Sequence, residues 1–318
     1  MPAPRFSLRQ LHYFVTVAEL GSIRDASSLL NVSQTALSQA LSELEREIGT
    51  TLLHRRRAIG ANLTSAGTML LGRARAVLDA AGDFEAAAQN WEHELAGRLG
   101  VSCYSTLSPF LAARLLGRFR EEHPMVRIDF RDSSAERMAA DLRQGRCELG
   151  LTYEIGLDDD ICRERLYWVR PHLILPAVHP LASRTEIALE DVVDEPLILY
   201  DVPPAAANTL GMFARLGLTP RISYRTENFE LVRSLVGGGF GYSLLLQQPS
   251  ADVAHDGSSV VRRPISSDTG AFAIVIAWSD TVRLSKKAEV FKAFCKSVLA
   301  GGHRPEVKEN SASGYETR

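Results

Sequence analysis

Residues 8–48 carry three short helical patterns in close succession, and this feature constrains the fold more than any other. The first pattern ends at Gly21, and Ser22 can cap the second helix. Asn31-Val32 then forms a turn, and Ser33 is a natural N-cap for the third helix. Two helices joined by a short turn are typical of a helix-turn-helix, whose second helix enters a DNA groove.

The third helix, predicted over residues 34–48, has two faces of opposite character. Its apolar face consists of Leu37, Ala40, Leu41, Leu44 and Ile48. The opposite face carries short hydrogen-bonding side chains, which suit the major groove because Gln pairs with adenine and Ser or Thr reaches base edges or phosphates. An ordinary solvated helix face is the alternative. With the cap included, the candidate DNA-binding residues here are Ser33, Gln34, Thr35, Ser38, Gln39 and Ser42.

A basic run follows this helix. The segment His54-Arg55-Arg56-Arg57 leads to a turn at Gly60, and Asn62-Leu63-Thr64 comes next. This pattern predicts a two-stranded wing with three arginines at its tip. Such a run is usually a solvated loop, but beside a recognition helix we interpret Arg55, Arg56 and Arg57 as contacts to phosphates or to the minor groove.

Thr64 is predicted to cap a long helix that runs from Ala66 to about Leu95. Its apolar residues repeat at alternating spacings of four and three, which predicts a coiled-coil seam. Since nothing local can bury that seam, we expect a helix from a second subunit to cover it. Packing on the chain's own C-terminal half is the alternative. Gly72 and Gly82 lie off the seam and weaken the helix without changing its register. The seam residues are Leu70, Ala74, Val77, Ala81, Phe84, Ala88, Trp91 and Leu95.

From Gly97 onward, short β patterns alternate with helical patterns, which predicts a mostly parallel α/β sheet. The length of this part suits two small lobes. The predicted strands are 99–103, 126–130, 149–153, 173–176, 197–200, 222–224, 242–246 and 272–278. The predicted helices are 110–122, 135–144, a stretch around Phe213, 229–236 and 287–299.

Length and charge set further bounds. At 318 residues the chain is long for one domain, and its net charge of −2 argues against indiscriminate coating of nucleic acid. A small, locally basic DNA-binding module is still compatible with that charge. The sequence has no apolar run long enough for a bilayer and no apolar core of a signal peptide at its start. We therefore expect a cytoplasmic protein with no membrane contact.

The reactive residue types form no catalytic or metal-binding motif. The sequence lacks the G-x-S-x-G, HExxH and Walker A patterns, so we predict no enzyme activity, no catalytic residue, no cofactor and no metal site. The glycine run at 237–241 lacks phosphate-loop spacing and is interpreted as a helix end and turn. Redox sensing by distant thiols is an alternative. The cysteines are Cys103, Cys147, Cys162 and Cys295.

A set of landmarks occurs in order along the N-terminal sixty-seven residues: Phe14, Ala18, Gly21-Ser22, Ala26, Leu30, Val32-Ser33-Gln34, Ala36-Leu37-Ser38, Leu44-Glu45, Gly49, Leu53, Arg55, Leu63-Thr64 and Ala66-Gly67. This stretch resembles the N-terminal module of LysR-type transcriptional regulators. Gln34, Ser38 and Arg55 match positions that contact DNA in that family. The family usually has Pro at the position of Thr35 and often Arg at that of Gln39, so base preference does not carry over at Gln39.

The resemblance extends to the C-terminal half, which is similar to the LysR-type effector domain. It implies an α/β fold with an N-terminal winged helix-turn-helix, a long linker helix and a C-terminal two-lobe effector domain like the periplasmic solute-binding proteins. The expected boundaries are 1–65 for the DNA-binding domain, 66–96 for the linker (dimerisation) helix and 97–302 for the effector domain. Lobe one takes 97–166 and 269–302, lobe two takes 167–268, and the polar tail 303–318 is expected to be disordered.

A ligand in this fold is expected between the lobes, near the carboxyl ends of strands. Ser105-Thr106 follow the first strand, and Ser108-Pro109 is expected to cap the next helix, whose N-terminus favours an anion. Ser133 and Glu136 have capping-box spacing, which would leave Ser134 free. We therefore predict an organic acid as effector. The candidate effector-binding residues are Ser105, Thr106, Ser134, Tyr153, Tyr200, Asp201 and Phe229.

The resemblance implies a transcription regulator that binds double-stranded operator DNA and responds to a small-molecule effector. It also implies a homodimer through the linker helix and a homotetramer as the full assembly, with RNA polymerase as a further partner. A solute-binding receptor without DNA regulation is the alternative, and the N-terminal module counts against it.

Overall fold

The computed structural model describes residues 4–56, 60–89 and 95–300. Its helices are α1 (Leu8–Leu20), α2 (Ile23–Leu29), α3 (Gln34–Ile48), α4 (Ser65–Gln89), α5 (Ser108–Glu122), α6 (Ala135–Arg143), α7 (Ala205–Arg215), α8 (Phe229–Gly237) and α9 (Lys286–Ala300). Its strands are β1 (Leu53–Arg56), β2 (Gly60–Leu63), β3 (Gly97–Tyr104), β4 (Val126–Ser133), β5 (Leu149–Tyr153), β6 (Ile161–Val169), β7 (His172–Pro176), β8 (Pro196–Tyr200), β9 (Arg221–Thr226), β10 (Ser243–Leu245), β11 (Val260–Pro264) and β12 (Phe272–Ser279). Arg57, Trp91 and the predicted tail 303–318 lie outside the described residues.

The N-terminal module consists of short helices whose ends are determined locally. Ser7 and Gln10 form a reciprocal capping box at the start of α1. Gly21 ends α1 in the left-handed conformation, with φ at 64°. The Ser22 hydroxyl accepts a hydrogen bond from the Asp25 amide at 3.2 Å, so the predicted cap of α2 is confirmed. The apolar faces of these helices merge into one core, which includes Phe14, Val17, Leu37, Leu41, Leu44 and Leu71.

The linker helix α4 begins where the sequence predicts. The Thr64 hydroxyl accepts a hydrogen bond from the Gly67 amide at 2.9 Å and so caps the helix. The described part of α4 ends at Gln89, and residues 90–94 lie outside the described residues, so the predicted helix end near Leu95 stays a prediction.

The predicted seam on α4 is divided between two environments. Leu70 and Ala74 pack into the N-terminal core, whereas the side chains of Val77 and Phe84 are exposed. The expectation that nothing local buries the seam is therefore wrong for its first residues. The reason is that α4 lies against α1, an apolar neighbour from the same chain. Of the later seam residues as far as Phe84, Val77 and Phe84 are exposed and Ala81 is half-buried.

At one position of α4, close packing against another helix requires glycine. A Cβ at Gly72 would lie 2.5 Å from the carbonyl oxygen of Arg143, at the end of α6. A Cβ at Gly145, where φ is 64°, would in turn lie 3.0 Å from the Gly72 carbonyl oxygen. The buried Arg75 guanidinium, one turn further on, donates hydrogen bonds to the Gln144 carbonyl and to the Glu19 carboxylate. Helix α4 is thus in close contact with both α1 and α6.

A five-stranded sheet with the order β4-β3-β5-β12-β6 forms the first part of the C-terminal half. Strand β3 is parallel to both β4 and β5. Helices α5 and α9 pack together through aromatic rings, and the centroid of Phe119 lies 4.9 Å from that of Phe291. Strand β6 was not predicted, because the charged run Arg163-Glu164-Arg165 conceals its apolar residues.

The remaining strands form two smaller sheets. Strand β7 is central to a three-stranded sheet and runs antiparallel to both β10 and β11, while β8 and β9 are parallel. The prediction of a mostly parallel sheet is therefore wrong for this part of the chain. Strand β11 was missed because Arg262-Arg263 interrupt its apolar pattern, and β11 supplies one of the two antiparallel partners.

Two compact units divide the chain. The first holds α1–α6, β1–β4 and most of α9, so it combines the N-terminal module, the linker helix and the start of the effector half. The second holds β7–β11, α7 and α8. The chain changes unit within β6, after Glu164, and within β12, after Ile274. The lobe boundaries given above stay a prediction.

Candidate nucleic-acid interface and effector residues

The turn before α3 fixes where that helix starts. Asn31 has a positive φ of 53°, which Asn tolerates better than most residues. The Ser33 hydroxyl accepts a hydrogen bond from the Ala36 amide at 3.1 Å. Ser33 is therefore the N-cap, as predicted, and its side chain is already used in positioning the helix. A DNA contact by Ser33 stays a prediction.

Helix α3 has the two faces that the sequence predicts. Leu37, Leu41 and Leu44 are buried, and Ala40 and Ile48 are half-buried at the edge of the core. On the other side Gln34, Thr35, Gln39 and Ser42 are exposed, and Ser38 is half-buried. The polar row is thus presented to solvent by a helix whose opposite side is fixed in the core.

Two members of the polar row already have partners within the helix. The Gln39 amide donates to the Glu43 carboxylate at 3.2 Å, and the Ser42 hydroxyl donates to the Ser38 carbonyl oxygen at 2.9 Å. Binding a base through Gln39 would first require release from Glu43. Gln34, one residue after the cap, stands at the helix N-terminus, where helix dipole and free amides also favour phosphate.

The wing is a two-stranded antiparallel hairpin. Strands β1 and β2 pair Arg55 with Ala61 and Arg56 with Gly60, while Arg57 lies outside the described residues. Gly60 has φ at 102°, and a Cβ there would lie 2.5 Å from the Gly21 carbonyl oxygen. The wing is therefore held close to the end of α1 at a position that requires glycine.

Glu45 positions the wing relative to α3, a role that the sequence argument missed. One oxygen of its carboxylate accepts hydrogen bonds from the amides of Leu52 and Leu53 at 2.8 and 3.0 Å. Leu53 is the first residue of β1 and Leu52 directly precedes it, so a side chain of α3 holds the start of the wing. In the sequence, the only hint of this contact is that a helical carboxylate lies seven to eight residues before the residues that it binds. Such a spacing is too common to predict a hydrogen bond before the fold is known.

Ser105 and Thr106 directly follow β3, as predicted. Ser105 is exposed, and its amide donates to the Ser133 carbonyl oxygen at 3.0 Å. The Thr106 hydroxyl is buried without a hydrogen-bond partner among the residues that the structure describes. A buried hydroxyl without a partner is uncommon.

Two capping predictions near these residues are wrong by one position. Leu107, not Ser108, is the N-cap of α5, and the Ser108 hydroxyl instead donates to Asp132 at 2.9 Å. Ser134, not Ser133, caps α6, because its hydroxyl accepts from the Arg137 amide at 3.3 Å. Ser133 ends β4 and is buried. Strand β4 runs three residues beyond its predicted end, to Ser133, so Ser133 belongs to the strand and does not cap α6, which starts at Ala135 as predicted.

The other candidate effector residues belong to the second unit. The Tyr153 hydroxyl accepts a hydrogen bond from the Gln247 amide at 3.0 Å. Tyr200 and Phe229 pack edge to face, with ring centroids 5.8 Å apart. Asp201 pairs with Arg225 at 3.4 Å, so its carboxylate has a cationic partner in the unit. Tyr200, Asp201 and Phe229 therefore form one group, at the end of β8 and the start of α8.

The described thiols give little support to redox sensing. Burial raises the pKa of the Cys103 thiol and that of the Cys147 thiol to about 12, so both are protonated near neutral pH. Cys295 is also buried, and Cys162 is half-buried on β6. In the described ranges, no three histidine, cysteine or carboxylate side chains group as metal ligands. None of the helices in those ranges is both long enough and apolar enough to cross a bilayer.

Two family models match this arrangement. The bacterial regulatory helix-turn-helix protein, lysR family, matches residues 8–68, and the LysR substrate binding domain matches residues 92–300. The chain belongs to the LysR family of transcriptional regulators. This LysR-family chain is a DNA-binding transcription regulator with an effector-binding domain, as the sequence predicted.

Relatives and solved structures agree with this assignment. The LysR-family chain is 31% identical to the HTH-type transcriptional regulator AlsR of Bacillus subtilis, over 75% of this chain and 80% of AlsR. It is 30% identical to the uncharacterised HTH-type regulator YnfL of Escherichia coli, over 75% and 81% of the two chains. The crystal structure of HinK, a LysR family regulator from Pseudomonas aeruginosa, covers 92% of this chain and 99% of HinK, with 34% identity and a TM-score of 0.63. These relatives are regulators and not enzymes, which confirms the prediction on enzyme activity.

Proposed function

We propose that α3 of this regulator reads its operator, with Gln34 and Ser38 directed at base edges. The observation that carries the proposal is the placement of Gln34 and Thr35 on the exposed side of a helix whose other side is buried through Leu37 and Leu41. A glutamine amide can pair bidentately with adenine in the major groove. Arg55, Arg56 and Arg57 of the wing would hold phosphates or the minor groove.

The test is operator binding by Gln34→Ala, with the DNA upstream of the regulator's own gene as the first probe. We expect a loss of about 1–3 kcal/mol on the preferred site and relaxed base choice at one position. Glu47→Ala, an exposed position near the end of the same helix, is the control and should bind as the unmodified chain does. Unchanged affinity and unchanged sequence preference in Gln34→Ala would show that α3 is not the reading helix.

We propose in addition that two chains pair through the uncovered part of α4 and that pairs assemble into a homotetramer. The support is the exposure of Val77 and Phe84 at coiled-coil spacing, together with membership of a family whose regulators oligomerise. A cytoplasmic location and a contact with RNA polymerase stay predictions.

For the effector we propose a small organic acid that binds through Ser105 and Thr106. The support is the buried Thr106 hydroxyl without a partner, next to an exposed serine and just before α5. The sequence has no Arg or Lys between Val101 and Ala113, so hydrogen bonds and the helix dipole would hold the carboxylate. Affinity should accordingly be modest. Tyr153, Ser134, Tyr200, Asp201 and Phe229 stay predicted effector contacts.

The effector assignment is tested by calorimetry after thermal-shift screening of metabolites has identified a ligand. Ser105→Ala combined with Thr106→Val should abolish effector binding, because both hydroxyls are lost with little change in volume. Operator affinity without effector is the control, and it should stay unchanged. A neutral or cationic effector, or normal binding by the double variant, would refute the assignment.

A further inference from the structure

A cleft of about 440 Å³ lies where α1, α4 and the first strands of the effector half meet within the first unit. Its lining includes none of the predicted effector contacts. One of those contacts, Ser134, lies three residues before Arg137 and accepts a hydrogen bond from the Arg137 amide. The cleft is lined by five arginines, and these are Arg75, Arg98, Arg131, Arg137 and Arg146.

Four of these guanidinium groups share two carboxylates. Asp129 accepts hydrogen bonds from both Arg98 and Arg131, the second at 3.3 Å. Asp141, which is 1% exposed, pairs with Arg137 at 3.2 Å and with Arg146 at 2.8 Å. Each guanidinium has five N–H donors, so two carboxylates leave many of these donors without an anionic acceptor.

Arg131 has such an N–H donor without an acceptor. Its Nε is buried and has no hydrogen-bond partner among the described residues. Arg131 lies on β4 and forms an ion pair with Asp129 at 3.3 Å. A buried N–H of a charged group without an acceptor is unfavourable unless something else accepts from it.

The carboxylates that line the cleft do not supply the missing acceptor. Glu19 is paired with Arg75 at 2.7 Å, and Glu148 accepts from the Ser285 amide at 3.1 Å. Burial raises the pKa of Asp79, and the charge of Glu148 adds to the effect. In the described part of the chain, none of these three acids is hydrogen-bonded to Arg131.

We propose that this cleft binds a small dianion, a phosphate or a dicarboxylate, through Arg131 with Arg137 and Arg146. Guanidinium groups offer paired N–H donors that fit the oxygens of either anion, and its two negative charges would help to balance two pairs of arginines that each share a single carboxylate. Since α1, α4 and the effector half all contribute to the lining, a bound dianion would stabilise their docked arrangement. This site is independent of the effector assignment at Ser105 and Thr106.

The test uses the full chain in chloride buffer at constant ionic strength. Inorganic phosphate and succinate are titrated separately, and melting temperature and calorimetric heat are measured against added chloride. We expect at least one dianion to raise the melting temperature, and Arg131→Gln to weaken its binding about tenfold or more. Arg127→Gln is the matched control, because Arg127 is exposed on the same strand and outside the cleft.

Arg137→Gln provides a second variant in case Arg131→Gln fails to fold, since the Arg137 side chain is 60% exposed. Binding of phosphate alone, succinate alone or both supports the site and defines which anion class it accepts. The proposal is overturned if neither dianion binds beyond the chloride control, or if the folded Arg131 and Arg137 variants bind as tightly as Arg127→Gln.

Discussion

His172 is a buried histidine on β7 with no hydrogen bond to either ring nitrogen in the described part of the chain. Burial lowers the pKa of His172 to about 4, and the nearby Arg262 acts in the same direction while Asp252 opposes it. The folded protein therefore holds His172 neutral. The unfolded chain takes up a proton below its ordinary pKa of about 6.5.

From this shift we predict acid-sensitive stability. Because the pKa of His172 is lower in the folded protein than in the unfolded chain, its contribution to the free energy of unfolding is fully present above about pH 6.5. This contribution is lost as the pH falls toward 4. The free energy of unfolding should drop by about 2 kcal/mol between pH 7.5 and pH 5 from this residue alone.

The measurement is urea unfolding at both pH values. His172→Leu should remove this part of the drop, whereas the control His255→Asn should retain it, because the His255 side chain is 83% exposed. An equal drop in His172→Leu and in the unmodified chain would mean that other groups cause the acid sensitivity.

Residue-scale predictions succeeded where the signal is local. Ser22, Ser33 and Thr64 cap the helices that follow them, because a capping hydroxyl needs only its own turn. Ser134 was misjudged because the neighbouring Ser133 could also cap, and Ser108 because α5 already begins after Leu107, which makes no side-chain capping hydrogen bond. Between Ser133 and Ser134 the end of β4 decides, and strand ends depend on pairing across the sheet.

At the scale of elements, α4 shows what a periodic pattern leaves undetermined. The seam correctly indicated a long helix, but the partner of each position depends on what lies beside it. Gly72 and Gly82 look alike in sequence, yet Gly72 contacts the end of α6 and Gly82 has open space around it. Strands β6 and β11 were missed for a related reason, since each lies at the edge of its sheet, where charged residues at exposed or half-buried positions interrupt the apolar pattern.

At the scale of the whole molecule, operator binding should depend on assembly. Phe84 is 77% exposed on the uncovered part of α4, so Phe84→Glu would place charges within the proposed seam of a pair. We expect a smaller species in sedimentation and about 100-fold weaker operator binding, because two tethered modules bind two half-sites together.

Met69→Glu is the matched control for this prediction. Met69 is 58% exposed on the same helix but lies off the seam, so the assembly of that variant should be unchanged. If Phe84→Glu keeps both its assembly and its affinity, the pairing of chains through α4 is wrong.

By itself, the sequence determined the helix-turn-helix, the two faces of α3, the long linker helix and the family. These features rest on helix periodicity and on caps, which act over a few residues and need no distant partner. Tertiary structure alone decided that Glu45 holds the wing, that Leu70 and Ala74 join the N-terminal core, and that five arginines meet around one cleft. Those contacts join residues far apart in the chain, and no local pattern records which distant residues will meet.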